Sequence, residues 1–115
     1  MKKVIPEKGD FISVTFDPQS GHERKGRRPA LVVSSYLFNE RTGLTIVCPV
    51  TNTDRNWPLH VRFPLTSALT GVIMVEQVKS IDYRSRYAKL TGKASETILN
   101  EVLAILDACI FDEGV

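Results

Sequence analysis

Apolar and polar residues alternate along Phe11-Ile12-Ser13-Val14-Thr15-Phe16, with Ile12, Val14 and Phe16 sharing one face, which is the period of a half-buried strand. Asp17-Pro18-Gln19-Ser20-Gly21 then turns the chain. Ala30 to Ser34 is a near-continuous, valine-rich run that predicts a strand covered on both faces, and Asn39 to Gly43 carries the next turn signal. Leu44-Thr45-Ile46-Val47-Cys48 reads as another strand. Pro49 lacks an amide hydrogen, so pairing is expected to loosen there and to hand Val50-Thr51-Asn52 to a loop.

The stretch Thr51 to Pro58 is polar except for Trp57, which suits a mobile loop. It leads into the alternating Leu59-His60-Val61-Arg62-Phe63-Pro64-Leu65. Gly71-Val72-Ile73-Met74-Val75 predicts a further buried strand running into Glu76-Gln77-Val78, and Tyr83 to Tyr87 is basic and aromatic. One helix closes the chain. Ser95 is placed to cap it, and Ile98, Val102, Ile105 and Cys109 share a face beside Leu99, Leu103, Leu106 and Ile110, a stripe wider than amphipathicity requires. Short strands followed by a terminal helix suggest a small, strongly curved antiparallel sheet or partly open barrel with the helix packed against it.

At 115 residues the chain fits one domain, 1–115, large enough to bury a core without disulfides or a structural metal. Its 43% hydrophobic and 24% charged content argues against wholesale disorder. The N-terminus lacks the apolar core of a signal peptide, and no run approaches the ~20 apolar residues of a membrane span, so a cytoplasmic location is expected. Cys48 and Cys109 lie far apart in apolar surroundings with no metal-ligand spacing, which predicts buried free thiols.

The net charge of +2 is too small to announce nucleic-acid binding, so any electrostatic footprint must be local. One dense segment exists. Between Gly21 and Pro29, the cations Arg24, Lys25, Arg27 and Arg28 surround the single carboxylate of Glu23, and Gly21, Gly26 and Pro29 shape the bend. Such a loop suits an anionic, phosphate-bearing partner.

The elements Gly9-Asp10, Phe16-Asp17-Pro18, Gly21-His22-Glu23 and Gly26-Arg27-Arg28-Pro29-Ala30-Leu31-Val32-Val33-Ser34 resemble the opening of the MazF/PemK family of toxin endoribonucleases. Cys48-Pro49-Val50-Thr51 and Val75-Glu76-Gln77-Val78-Lys79-Ser80-Ile81-Asp82 are similar to that family's second and third blocks, in order, so that the likeness spans 7–111. It implies a β-rich α+β fold, an SH3-like barrel of the CcdB/PemK type with about five to seven antiparallel strands and a C-terminal helix. It further implies a homodimeric, sequence-selective toxin that cleaves single-stranded mRNA without metal or other cofactor and is neutralised by an acidic, MazE-like antitoxin.

Metal-free cleavage of RNA needs a base for the 2′-hydroxyl, compensation of charge on the phosphorane, and a proton for the departing 5′-oxygen. A carboxylate can supply the first, worth ~10² to 10⁴ in rate, and a guanidinium fork matches phosphate oxygens for the second. The family pattern carries these roles onto Glu23 and Arg28, and a threonine hydroxyl that donates to phosphate onto Thr51. Arg24, Lys25, Arg27, Asn52, Trp57, Gln77 and Lys79 are the expected RNA contacts. Without the likeness, Glu23 reads equally well as a solvated acid, Arg28 as an ion pair at a strand entrance, and Thr51 as turn chemistry.

Three rivals follow from the same residues. His22 and His60 could form a paired-histidine ribonuclease, but His60 on the polar side of its strand beside Arg62 reads more simply as a surface histidine. Trp57 suits either a stacked base or the barrel edge. Finally, the scaffold could serve a gyrase-poisoning toxin of the CcdB type or a catalytically silent nucleic-acid-binding module.

Overall fold

The computed structural model describes residues 4–15, 26–66 and 70–111. Gly21, His22, Glu23, Arg24 and Lys25 of the charged loop, and the turn expected at 17–21, lie outside them. The described elements are β1 (Asp10–Thr15), β2 (Arg27–Val32), α1 (Tyr36–Thr42), β3 (Leu44–Thr51), β4 (His60–Pro64), β5 (Thr70–Met74), a 3-10 turn (Val75–Gln77), β6 (Lys79–Asp82), β7 (Lys89–Lys93) and α2 (Glu96–Phe111). The strands form one antiparallel sheet in the order β4-β5-β3-β2-β1-β7, with β6 sharing with β5 the flank of β3 that faces away from β2. The sheet curls until Phe11 of β1 stacks on Phe63 of β4, with ring centroids 4.8 Å apart. A half-barrel with a C-terminal helix is thus what the pattern predicted.

Curling gives β2 two interiors, which explains its unbroken apolar run. Leu31 and Val33 join Cys48, Val50, Val61, Phe63, Ile73 and Val75 in a core covered by α2 through Val102. Ala30 and Val32 enter a second core with Ile12, Val14, Val47 and Ile81. Ser95 caps α2, its hydroxyl accepting from the Ile98 amide at 3.2 Å. The wide apolar stripe is only partly used: Ile98, Leu99, Leu103, Ile105 and Leu106 pack on the core, whereas Ile110 and Phe111 are exposed.

Four expectations need correction. The turn signal at Asn39 to Gly43 is the end of a short helix, α1, with Ser35 as its N-cap and Gly43 at φ 74° as its left-handed terminator. Asn39 is buried because its carbonyl accepts from the Tyr83 hydroxyl at 2.9 Å while its side chain joins the Pro6 carbonyl at 2.8 Å and the Ser34 hydroxyl. Cys109 is exposed, since it follows the last turn of α2 that touches the sheet, while Cys48 is buried as expected. Pairing does not loosen at Pro49: β3 runs on to Thr51.

The reason lies in the flanks of β3. Val33 donates to the Ile46 carbonyl at 2.8 Å, which makes that pair hydrogen-bonded and, two by two along the register, leaves Ala30↔Pro49 a non-bonded pair. The proline nitrogen therefore faces away from β2. On that side β6 pairs with residues 44 to 47 and β5 with 50 and 51, so Pro49 falls where one neighbour has ended and the next has not begun. The fourth correction, at His60, belongs to the site.

Candidate active site

Arg28, Thr51 and Asn52, far apart in sequence, line one pocket of about 210 Å³ together with Arg27, Pro29, Val50 and Leu65. The β2–β3 register creates this meeting. Ala30 lies opposite Pro49, and two residues further along each strand come Arg28 and Thr51. Arg28 is exposed. The Thr51 oxygen accepts from the Thr53 amide at 3.2 Å, which orients the hydroxyl and leaves its hydrogen to donate elsewhere.

Arg27 has a different occupation. Its Nε donates to the Ser13 hydroxyl at 3.1 Å, and its Nη2 to the carbonyls of Ser13 at 2.7 Å and Tyr87 at 2.8 Å. It ties the entrance of β2 to β1 and to the turn before β7, so its first effect is to hold the strand on which Arg28 sits. Next to the pocket, sharing Pro29 and Leu65, a second depression of about 320 Å³ follows the seam where β4 meets β1 and β7, with Phe11, Phe63 and Lys93 on its walls.

Between β3 and β4, within the polar stretch 51–58, the loop carries its own hydrogen bonds and an ion pair to β4. Asp54 accepts from the Asn56 amide at 2.8 Å and pairs with the Arg62 guanidinium, which also donates to the Asn56 side chain at 2.9 Å. Asn56 turns the chain at φ 56°, a left-handed conformation that asparagine tolerates. Trp57 is 51% exposed and does not reach the Arg28 pocket; its ring lies against His60, centroids 5.2 Å apart.

His60 is not a surface residue. Its side chain is 3% exposed and its Nε2 meets Glu76 Oε2 at 3.0 Å. A carboxylate accepts only, so the imidazole donates. Desolvation pushes the Glu76 carboxyl upward, but the His60 hydrogen bond, the backbone, the positive charge available on His60 and the Gln77 side chain together hold it below the usual glutamate range. Sequence alternation had put His60 beside Arg62 on the outer face; the 3-10 turn folds Glu76 over that face and covers it. Gln77 leaves the same turn exposed, and Lys79 is exposed at the start of β6, and neither lines the Arg28 pocket. Among the described residues no cluster of three or more His, Cys, Asp or Glu side chains could hold a metal, and no helix is long and apolar enough to cross a membrane.

Residues 7–110 match the family profile of the PemK-like, MazF-like toxin of type II toxin-antitoxin systems. The chain belongs to that family. It is 36% identical over 110 residues to the endoribonuclease toxin MazF of Escherichia coli K12, covering 96% of this chain and 95% of that one. With the endoribonuclease toxin ChpB of the same strain it shares 38% identity over 118 residues, 96% and 98% of the two chains. Among solved structures, MazF from Deinococcus radiodurans superposes with a TM-score of 0.81 at 37% identity, over 94% of this chain and 98% of that one. The MazE-MazF complex from the same organism gives 0.82 at 32% identity, over 95% and 98%. A mycobacterial endoribonuclease at 17% identity and TM-score 0.73 shares the fold. The resemblance drawn from the three sequence blocks is thereby established for a PemK/MazF toxin, over nearly the span expected from them.

Proposed function

We propose that this toxin is a sequence-selective, metal-independent endoribonuclease that cuts single-stranded mRNA in the cytoplasm. The 2′-hydroxyl attacks its own phosphodiester, leaving 2′,3′-cyclic phosphate and 5′-hydroxyl ends. The observation that carries this reading is the convergence of Arg28 and Thr51 on one open pocket beside Asn52. A guanidinium fork and a hydroxyl hydrogen aimed at the same space can hold two oxygens of one phosphate, and both interactions strengthen as charge accumulates in the phosphorane. Glu23 is assigned as the base from its family position; its ionised form suits a loop rich in arginine and lysine.

Asn52, Trp57, Gln77 and Lys79, with Arg24, Lys25 and Arg27, are proposed to guide the RNA. The toxin acts as a homodimer and is silenced by an acidic antitoxin whose negative, extended segment competes for the same cations. Support for the antitoxin comes from relatives solved as MazE-MazF complexes. End mapping of a defined RNA incubated with the protein in excess EDTA tests the reading. Cleavage with 5′-hydroxyl ends is expected, reduced about 10²- to 10³-fold in Arg28→Ala. RNA that is retarded on a gel but stays intact would reject it.

A further inference from the structure

Away from the Arg28 pocket, at the far end of the β3–β4 loop, a second polar pocket of about 290 Å³ is lined by Asp54, Asn56, Trp57, His60, Arg62 and Glu101. Its composition does not suit a phosphate. Asp54 and Arg62 are already joined in an ion pair, so their charges offset and the Glu101 carboxylate from α2 sets the sign. Nor does the cancelled pair favour an isolated cation, which needs a net negative cage. What remains is a half-exposed indole face, the Glu101 carboxylate, the second lone pairs of the Asp54 and Asn56 oxygens already engaged by Arg62 and the Asn56 amide, and a volume able to hold a flat heterocycle.

The construction behind Trp57 points the same way. The ring that backs the indole, His60, is almost wholly buried, fixed through Nε2 to Glu76, and its Nδ1 is buried with no hydrogen-bond partner. An apolar side chain would fill that space without leaving a buried polar nitrogen unpaired. Backbone bonds complete the mount: the His60 amide donates to the Trp57 carbonyl at 3.1 Å, and Val75 to Leu59 at 3.3 Å. The indole is thus a clamped platform, and the loop that carries it begins at Thr51 and Asn52, where the scissile phosphate is held.

We propose that this pocket is a nucleobase subsite: one unpaired base of the RNA stacks on Trp57 and presents an exocyclic amine to the acceptor wall of Asp54, Asn56 and Glu101, with His60 as the positioning residue of the platform. Stacking on an aromatic face is sequence-tolerant, whereas the acceptor wall favours cytosine, adenine or guanine, whose amino group offers two hydrogens, over uracil, which offers the single N3–H. The inference rests on the nuclease reading for its biological meaning, but its test does not need cleavage. Trp57 is the chain's single tryptophan, so its fluorescence reports this pocket alone.

The experiment titrates the Arg28→Ala protein, in which cleavage is slowed about 10²- to 10³-fold, with short single-stranded oligoribonucleotides of one base type and follows indole emission within minutes of mixing. Oligocytidylate and oligoadenylate are expected to quench, and oligouridylate of equal length to bind at least fivefold more weakly. Glu101→Gln should shrink that preference while leaving stacking in place. His60→Phe, which keeps a ring behind the indole but loses the bond to Glu76, should weaken quenching by all bases, and thermal melts of each variant separate this from unfolding. Equal quenching by all oligomers in the folded protein, or saturation of the pocket by N-acetylarginine amide in their place, would overturn the subsite. Intact RNA in the wild-type protein alongside a preserved base preference would instead reject the nuclease and keep the pocket.

Discussion

Gly71 on β5 gives the sharpest quantitative test of how the half-barrel closes. A Cβ added there would stand 2.6 Å from Cε1 and Cζ of Phe63 and 3.3 Å from Cβ of Leu65. Ring atoms can usually swing aside, but Phe63 is 6% exposed and stacked on Phe11 at an interplanar angle of 17°, so moving it opens the seam. Overpacking of this kind costs about 1–3 kcal/mol, and a disrupted aromatic pair adds about 0.5–1.5. Against this, alanine restricts the unfolded chain and returns about 0.4–1 kcal/mol. The steric terms win, and Gly71→Ala should be destabilised by roughly 1–3 kcal/mol, lowering Tm by about 4–12 °C for a domain of this size. Urea unfolding and a thermal melt read both quantities, and the double variant Gly71→Ala/Phe63→Leu should recover a substantial part of the loss. A Gly71→Ala protein as stable as the wild type would mean that the Phe11–Phe63 stack does not close the sheet.

Three further outcomes are expected. The Glu76 carboxyl titrates below its ordinary value when folded, so the stability it contributes is complete above the unfolded pKa near 4.5 and is lost as pH falls through the lower folded one; Glu76→Gln should flatten the acid side of the stability curve relative to the wild type. Burial, and then the nearby Glu76 charge, push the Cys48 thiol up to about 12, so a thiol reagent at neutral pH should label Cys109 quickly and Cys48 only on unfolding; two fast sites would contradict the buried strand. Asn39→Ala strips partners from the Pro6 carbonyl and the Ser34 hydroxyl inside the protein and should cost about 2–3 kcal/mol in urea unfolding, while an exposed Asn52→Ala costs little.

The elements legible in the sequence were those whose neighbours are local or uniform. β1 alternates because one face meets a core, β2 does not because both faces do, and Ser95 marks the start of α2 in its own side chain. What escaped depended on residues brought together from a distance. Asn39 looked like a turn because its buried partners, Pro6 and Tyr83, are 33 and 44 positions away. His60 looked exposed because the lid over it, Glu76, arrives only when β5 ends in a 3-10 turn. Cys109 looked buried because helical periodicity continues past the point where the sheet stops. For the candidate site, the motif blocks named Arg28 and Thr51 but did not bring them together; the β2–β3 register did. The Trp57 pocket had one visible signal, a lone tryptophan in a polar stretch, and its acceptor wall needed α2 to bring Glu101 alongside.

Pro49 also acts as a lock on alignment. A slip of β3 by one residue against β2 would turn the proline nitrogen toward a carbonyl that expects a hydrogen, and every apolar side chain of the strand would change interiors at once. Thr51 lies two positions beyond that lock. The spacing between hydroxyl and guanidinium on which phosphate chemistry would depend is therefore enforced by an imino acid that touches no RNA, and errors in strand alignment are penalised before they can misplace the site.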